Sequence, residues 1–239
     1  MRKLSIVLII LGVIIGVSPL VGRWYTRYQE NRMMEEWLNS EDVSVLEEEN
    51  EASNPEAGYS ELMEAFSVES KPVESTVQPA ATPVKKQAKP VSAVKHVDKE
   101  IKQTVIGVIQ IDKIKLKAPV VEGVKAENLK AGIGHIPGTA ALGQPGNCVL
   151  AGHRNHTFGI FFNRLDEMEE GDEIIIITKK EELKYKVYKK HVVTPDDVSV
   201  LKGSKDDNII TLVTCTPIYV ATHRLILNAR LEERVLKEP

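Results

Sequence analysis

Cys215, His153 and Arg224 carry side chains whose chemistry would combine. Cys215 ends the apolar run NIITLVTC (208–215), and Pro217 then stops the strand pattern. A free thiol has a pKa of about 8.5, and only its thiolate is a strong nucleophile. His153 stands where the apolar run NCVLAG gives way to HRNHTFG, and Gly152 before it permits close backbone approach. A histidine beside a thiol takes its proton or, as imidazolium, stabilises the thiolate. It then protonates a leaving amine. Arg224 opens the run RLILNARL. Its guanidinium keeps its proton and is no general base, but its fork of donors suits a developing oxyanion or a substrate carbonyl. The set describes acyl transfer through a thioester. Each residue also has a plainer reading: a packed thiol, a loop histidine, an edge-strand arginine. Spacing alone leaves both open.

To meet, these side chains need strand ends at a common rim. From Thr104 the texture becomes apolar and β-branched: TVIGVIQI, IKLKAPVV, NCVLAG, EIIIIT, LKYKVYKKHVV, NIITLVTC and RLILNARL, separated by turn-forming stretches. Ile114, Leu116, Ala118 and Val120 alternate onto one side. Seven or eight short strands at this spacing predict an all-β sandwich or barrel. KAENLKAGI and IFFNRLDEM each fit one or two helical turns. The compact domain runs from residue 104 to about 231, long enough to build its own core. Nine positions separate Cys215 from Arg224. A loop over 216–222 can fold back and present the two on adjacent strands, shaping a groove between them.

Other residues compete for these roles. His156 lies three after His153, His135 sits in GIGHIPG, and His223 precedes Arg224. Neighbours along a strand point to opposite faces, so His223 and Arg224 do not serve one site. His135 reads as packed in a turn. Cys148, inside an apolar run, reads as a core cysteine. A Cys148–Cys215 disulfide is the rival that would silence the nucleophile.

The segment Leu4 to Gly22 has no charged residue, close to the roughly 20 residues that cross a bilayer. Arg2 and Lys3 also fit the basic start of a cleaved signal. The run is long for that and lacks an A-x-A site, and Trp24 and Tyr25 sit where interfacial aromatics anchor a span. The sequence therefore predicts a short cytoplasmic tail (1–3), a single transmembrane anchor (4–22), a largely disordered stalk (23–103) and a catalytic domain (104–239). Within the stalk, Met33, Met34, Trp37 and Leu38 form a partial helical stripe. Five prolines fall between Ser53 and Ala93, and KPVESTVQPAATPVKKQAKPVS (71–92) reads as an extended spacer that buries no core. A net charge of −3 and 5% aromatics argue against nucleic acid. Two cysteines make neither a disulfide scaffold nor a four-thiolate zinc site.

TLVTC resembles the TLxTC signature of sortases, the cysteine transpeptidases of Gram-positive cell surfaces. LAGHR is similar to the segment carrying that family's catalytic histidine, and THRLIL to the one carrying its arginine. GIGHIPGTAALGQPGNCVLAGHR resembles the family's approach to the histidine, so the likeness covers about residues 104–231. It implies an eight-stranded β-barrel with one or two short helices, facing outward from the membrane. It implies cleavage of an LPxTG-like sorting signal after its threonine, a thioester on Cys215, and transfer to an amine of a peptidoglycan precursor. By position His153 is the acid/base, Arg224 the substrate or oxyanion holder, and Thr214 a substrate-positioning residue. No cofactor is implied. The acidic turn EEGDE (169–173) reads as solvated rather than as a calcium site. The spacer lacks the aromatic DPx lid of pilin-polymerising members and no second span follows RVLKEP. That favours a class D-like, single-anchor enzyme attaching proteins to the wall. A pilin-polymerising sortase, a purely hydrolytic peptidase and a non-catalytic displayed β-domain are the alternatives.

Overall fold

The strand runs close on themselves. The computed structural model describes residues 28, 31–40, 54–69, 104–154, 161–218 and 220–237. Residues 1–27, with the candidate anchor, the proline-rich stretch 70–103 and His156 lie outside the described residues. No helix among the described residues is long and apolar enough to cross a membrane.

In chain order the elements are α1 (31–39), α2 (Pro55–Glu69), β1 (Val105–Ile111), β2 (Leu116–Glu122), α3 (Ala126–Ala131), β3 (Ile133–His135), β4 (Gly146–Ala151), β5 (Glu173–Ile177), β6 (Glu181–Val193), β7 (Asn208–Thr216) and β8 (His223–Leu236). The eight strands form a closed barrel in the order β1-β2-β3-β4-β7-β8-β6-β5, as expected. Closure removes the exposed edges that an open sheet would present. The pairs β2–β3 and β4–β7 are parallel, and the other ladders antiparallel. A parallel pair needs a long crossover. One crossover carries α3; the other runs from β4 through β5 and β6 to β7.

The period-two alternation sorts the apolar residues into two clusters. Ile109, Val120, Leu150, Ile174, Leu212 and Leu227 fill the barrel interior. Val149, Ala151, Val213, Cys215 and Ile226, offset by one residue, form a second cluster on the outer face. That outer face is covered by α2, whose Tyr59, Leu62, Ala65 and Phe66 are buried against it.

The run expected to bury no core, 71–92, lies outside the described residues; just before it, within the expected stalk, 55–69 form a helix with a packed face. Its helix-forming run YSELMEAF precedes the prolines that dominate the stretch's composition. The helical stripe expected nearer the N-terminus is present as α1. Met34 is buried, and the Lys179 ammonium lies 5.0 Å from the Trp37 ring centre.

Candidate active site

Strand register places the three reactive residues in one row. β4 and β7 run parallel with Ala151 opposite Val213, and the Gly152 amide extends the ladder by donating to the Val213 carbonyl at 3.1 Å. Two residues further along each segment stand His153 and Cys215. On the other side of β7, Cys215 is paired with Arg224 of β8. All three share the parity of the outer cluster. Neighbouring strands lie about 4.8 Å apart, so the row spans roughly 10 Å of one barrel rim. A thiol, an imidazole and a guanidinium in such a row can serve one acyl group as nucleophile, proton carrier and anion holder. All three are nearly closed off, with His153 4%, Cys215 8% and Arg224 5% exposed.

Gly152 is required by packing. A Cβ there would lie 2.7 Å from Ile133 Cδ1 and 2.8 Å from Phe162 Cδ2. Its absence lets the chain turn tightly off β4, so that His153 stays on the rim. The Phe162 amide donates to the His153 carbonyl at 3.2 Å and fixes the returning loop. Arg224 Nη1 donates to the carbonyls of Ala221 and His223, at 2.9 and 3.0 Å. Arg224 Nε points to Met63 Sδ of α2 at 3.3 Å. The Phe66 ring of the same helix lies 5.5 Å from the His153 ring centre and 5.3 Å from the Arg224 guanidinium carbon. Tyr59, buried alongside, has its phenol pushed up to about 12 by burial and is neutral at physiological pH.

Thr214 faces away from the Cys215 side chain. It has the interior parity of Leu212, opposite to Cys215, and its buried hydroxyl donates to the Gly152 carbonyl at 2.7 Å. It ties the strand bearing the thiol to the turn bearing the imidazole. The sequence alone did not single out Arg154, directly after His153. Its side chain is 5% exposed. Nη1 donates to Thr216 Oγ1 at 3.1 Å and approaches the Cys215 carbonyl at 3.5 Å; Nε donates to the Asn163 carbonyl at 3.3 Å; Nη2 pairs with Asp166 at 2.7 Å. An arginine in HRN reads as a solvated loop residue, and nothing local betrays these partners.

The other candidates fall away from the rim. His223 is exposed and pairs with Thr222 Oγ1. His135 is fully buried; its Nδ1 contacts the Glu122 carboxylate at 2.9 Å and its Nε2 contacts Thr139 Oγ1 and the Ala140 carbonyl at 3.0 Å. Burial works against its cation, but hydrogen bonds with Cys148 and Glu122 outweigh that and lift its pKa to about 10. Both cysteines are free thiols. Cys148 is registered with Ile210, five residues from Cys215 along β7, or about 16 Å, far beyond disulfide reach. In the acidic turn, Asp172 and Glu169 pair with Lys113 at 2.7 and 3.2 Å.

Residues 109–232 match the family model described as Sortase domain, and the match includes all three rim residues. Sortase D of Bacillus subtilis (strain 168) is 32% identical over 111 residues, 46% of this chain and 54% of that protein. The chain thus spans about half the length of that curated relative. A solved Clostridium perfringens Sortase D5 transpeptidase is 35% identical, with a TM-score of 0.51 over 56% of this chain and 84% of that one. Sortase C-3 of Streptococcus pneumoniae is only 20% identical, so it speaks to the fold alone. It superposes over 86% of this chain and 92% of its own, with a TM-score of 0.59.

Proposed function

The chain belongs to the sortase family, and we propose that it is a membrane-anchored, class D-like transpeptidase that attaches surface proteins to the cell wall. One observation carries this reading: a parallel β4–β7 ladder and an antiparallel β7–β8 ladder align His153, Cys215 and Arg224 in a single row.

The chemistry follows from that row. Cys215 gives its proton to His153, and the sulfur attacks the threonine's own carbonyl carbon in an LPxTG-like signal. The carbonyl oxygen gains negative charge, which the guanidinium of Arg224 stabilises by donated hydrogen bonds. As the tetrahedral species collapses, the C–N bond breaks and His153 protonates the departing amine. The thioester on Cys215 is then attacked by an amine of a peptidoglycan precursor; His153 takes the amine's proton and the thiol is regenerated. Thr214 serves this site from behind, by holding the two strand ends together. The apolar segment 4–22 supports a single span, and the likeness to sortases supports a barrel on the outer side of the membrane.

The test is a peptide library offered with and without an amine nucleophile, read by mass spectrometry. The expected product is a peptide cleaved after threonine and joined to the amine, absent with Cys215→Ala. Release of the acid alone, even in excess amine, would identify a hydrolytic peptidase. Product formation undiminished by Cys215→Ala would remove the thiol from the mechanism.

A further inference from the structure

We propose that α1 docks the barrel to its membrane anchor, so that residues 23–30 alone set how far the barrel stands from the bilayer and the stretch 41–104 adds nothing to that distance. The inference rests on the anchored reading of residues 4–22 for what lies beyond the N-terminal end of α1. The docking turn, 178–180, is at the end of the barrel opposite the rim that bears Cys215. It precedes Glu181, and β6 then runs the length of the barrel to Val193, the residue paired with Arg224.

The first observation is the face that α1 presents. Asn31, Met34, Glu35 and Leu38, spaced i, i+3, i+4 and i+7, share one side of the helix and border Val108 of β1 and Ile177 of β5. Met34 is buried there. A helix as short as 31–39 does not hold itself together in water, so its contact with the barrel is what stabilises it.

The second is a lysine committed to the helix end. The last carbonyls of a helix have no partner within it. Lys179 Nζ donates to the Leu38 carbonyl at 3.3 Å, to Ser40 Oγ at 3.2 Å and to the Ser40 carbonyl, while it also faces the Trp37 ring. A cation at this end complements the helix dipole.

The third is closure. β5 runs antiparallel to β1 with Ile177 opposite Val108, so Lys179, two residues on, lies beside the start of β1. That start is itself fastened, since the Thr104 carbonyl accepts from the Glu122 amide at 2.9 Å. The chain passes Ser40 and enters β1 at one corner of the barrel, and the length between these points contributes no reach from the membrane. What remains is 23–30, at most about 28 Å when fully extended. A flexible stalk made of all residues 23–103 would average about 50 Å.

The experiment places the full chain in phosphatidylcholine vesicles that carry a rhodamine-labelled lipid. A donor dye on Lys205→Cys, at an exposed loop position, reports the height of the barrel by energy transfer. Cys215→Ala is present throughout so that only the introduced thiol is accessible, Cys148 being buried. A flexible Gly-Ser segment of about 20 residues is inserted either between Arg27 and Tyr28 or between Asp42 and Val43. The insertion before α1 is expected to lower transfer about twofold, and the insertion after α1 to leave it unchanged. In Trp37→Ala/Lys179→Ala both insertions should lower it. Amide exchange over 31–39, which needs no membrane, should be about tenfold faster in that double variant than in the natural chain. With Cys215 restored, the double variant should cleave a soluble signal peptide at the natural rate, because the dock is remote from the thiol. Equal effects of the two insertions in the natural chain overturn the dock, as does amide exchange over 31–39 that the double variant leaves unchanged. A chain that does not float with the vesicles sinks the anchored reading and the height with it; exchange that the double variant still accelerates then leaves the α1 interface standing alone.

Discussion

Arg154 is the residue whose removal should separate positioning from binding. Its guanidinium joins the segment after His153 to Thr216, the residue after the nucleophile, and to the loop at Asn163 and Asp166. Arg154→Ala deletes two hydrogen bonds, each worth about 1 kcal/mol net. It also deletes an ion pair whose carboxylate is 54% exposed, and screening holds such a pair to about 1 kcal/mol at most. The stability loss is therefore about 2–3 kcal/mol, compatible with a folded protein. The kinetic loss should be the more telling. A reacting group misplaced by about 1 Å can cost about 100-fold in rate. We expect kcat to fall 10- to 100-fold on that order, with KM nearly unchanged, because no contact to bound peptide is lost. Asp166→Asn is the control: it removes the ion pair, leaves the bonds to Thr216 and Asn163, and should keep kcat within about threefold. Steady-state kinetics on a labelled signal peptide, with thermal unfolding of each variant, supply the measurement. A folded Arg154→Ala protein with near-normal kcat would refute the positioning role. An Asp166→Asn protein impaired as badly as Arg154→Ala would move the effect to the loop.

Gly152→Ala should cost about 1–3 kcal/mol from overpacking against Ile133 and Phe162; a crystal structure should show His153 displaced, and an unmoved imidazole would contradict the packing account. Arg224→Lys should lose most activity despite keeping its charge, because a point charge lacks the fork of donors; full activity in a peptide assay would mean that charge alone suffices. For His135 the folded pKa, about 10, lies above the ordinary value of 6.5. The imidazolium's contribution to stability is therefore complete below pH 6.5 and is lost as pH rises through 10. Urea unfolding at pH 6 and pH 10 should show a larger loss in the natural chain than in His135→Gln, and equal losses would show that His135 is not the group responsible.

Most of the barrel was legible because its strands obey one rule: a period of two, bounded by glycine, proline and acidic turns. β3 was not, since three residues are too few to show a period. It exists because β2 and β4 each supply an edge for it. The candidate row of His153, Cys215 and Arg224 was legible only as residue types at strand ends. That the three share a face depends on register, and register is fixed by pairing between strands far apart in sequence. Thr214 is picked out by the signature it matches, and its place next to Cys215 in a strand turns it to the opposite face, where its hydroxyl meets the Gly152 carbonyl.

α2 failed to appear in the sequence for a different reason. Its run YSELMEAF favours helix, but the prolines that follow dominate the composition of the region. What stabilises it is the outer face of β4, β7 and β8, whose apolar residues are already assigned by any single-sheet reading to a strand buried on both sides. Both assignments hold together only if something outside the barrel covers that face, and the strand pattern alone does not say what. Yet NIITLVTC contains the clue. Val213 and Cys215 share a parity that points out of the barrel, and a run apolar on both parities needs two partners. One partner is the barrel core. The second must be another chain, a ligand or a segment of the same chain, and here it is the segment that also meets His153 and Arg224.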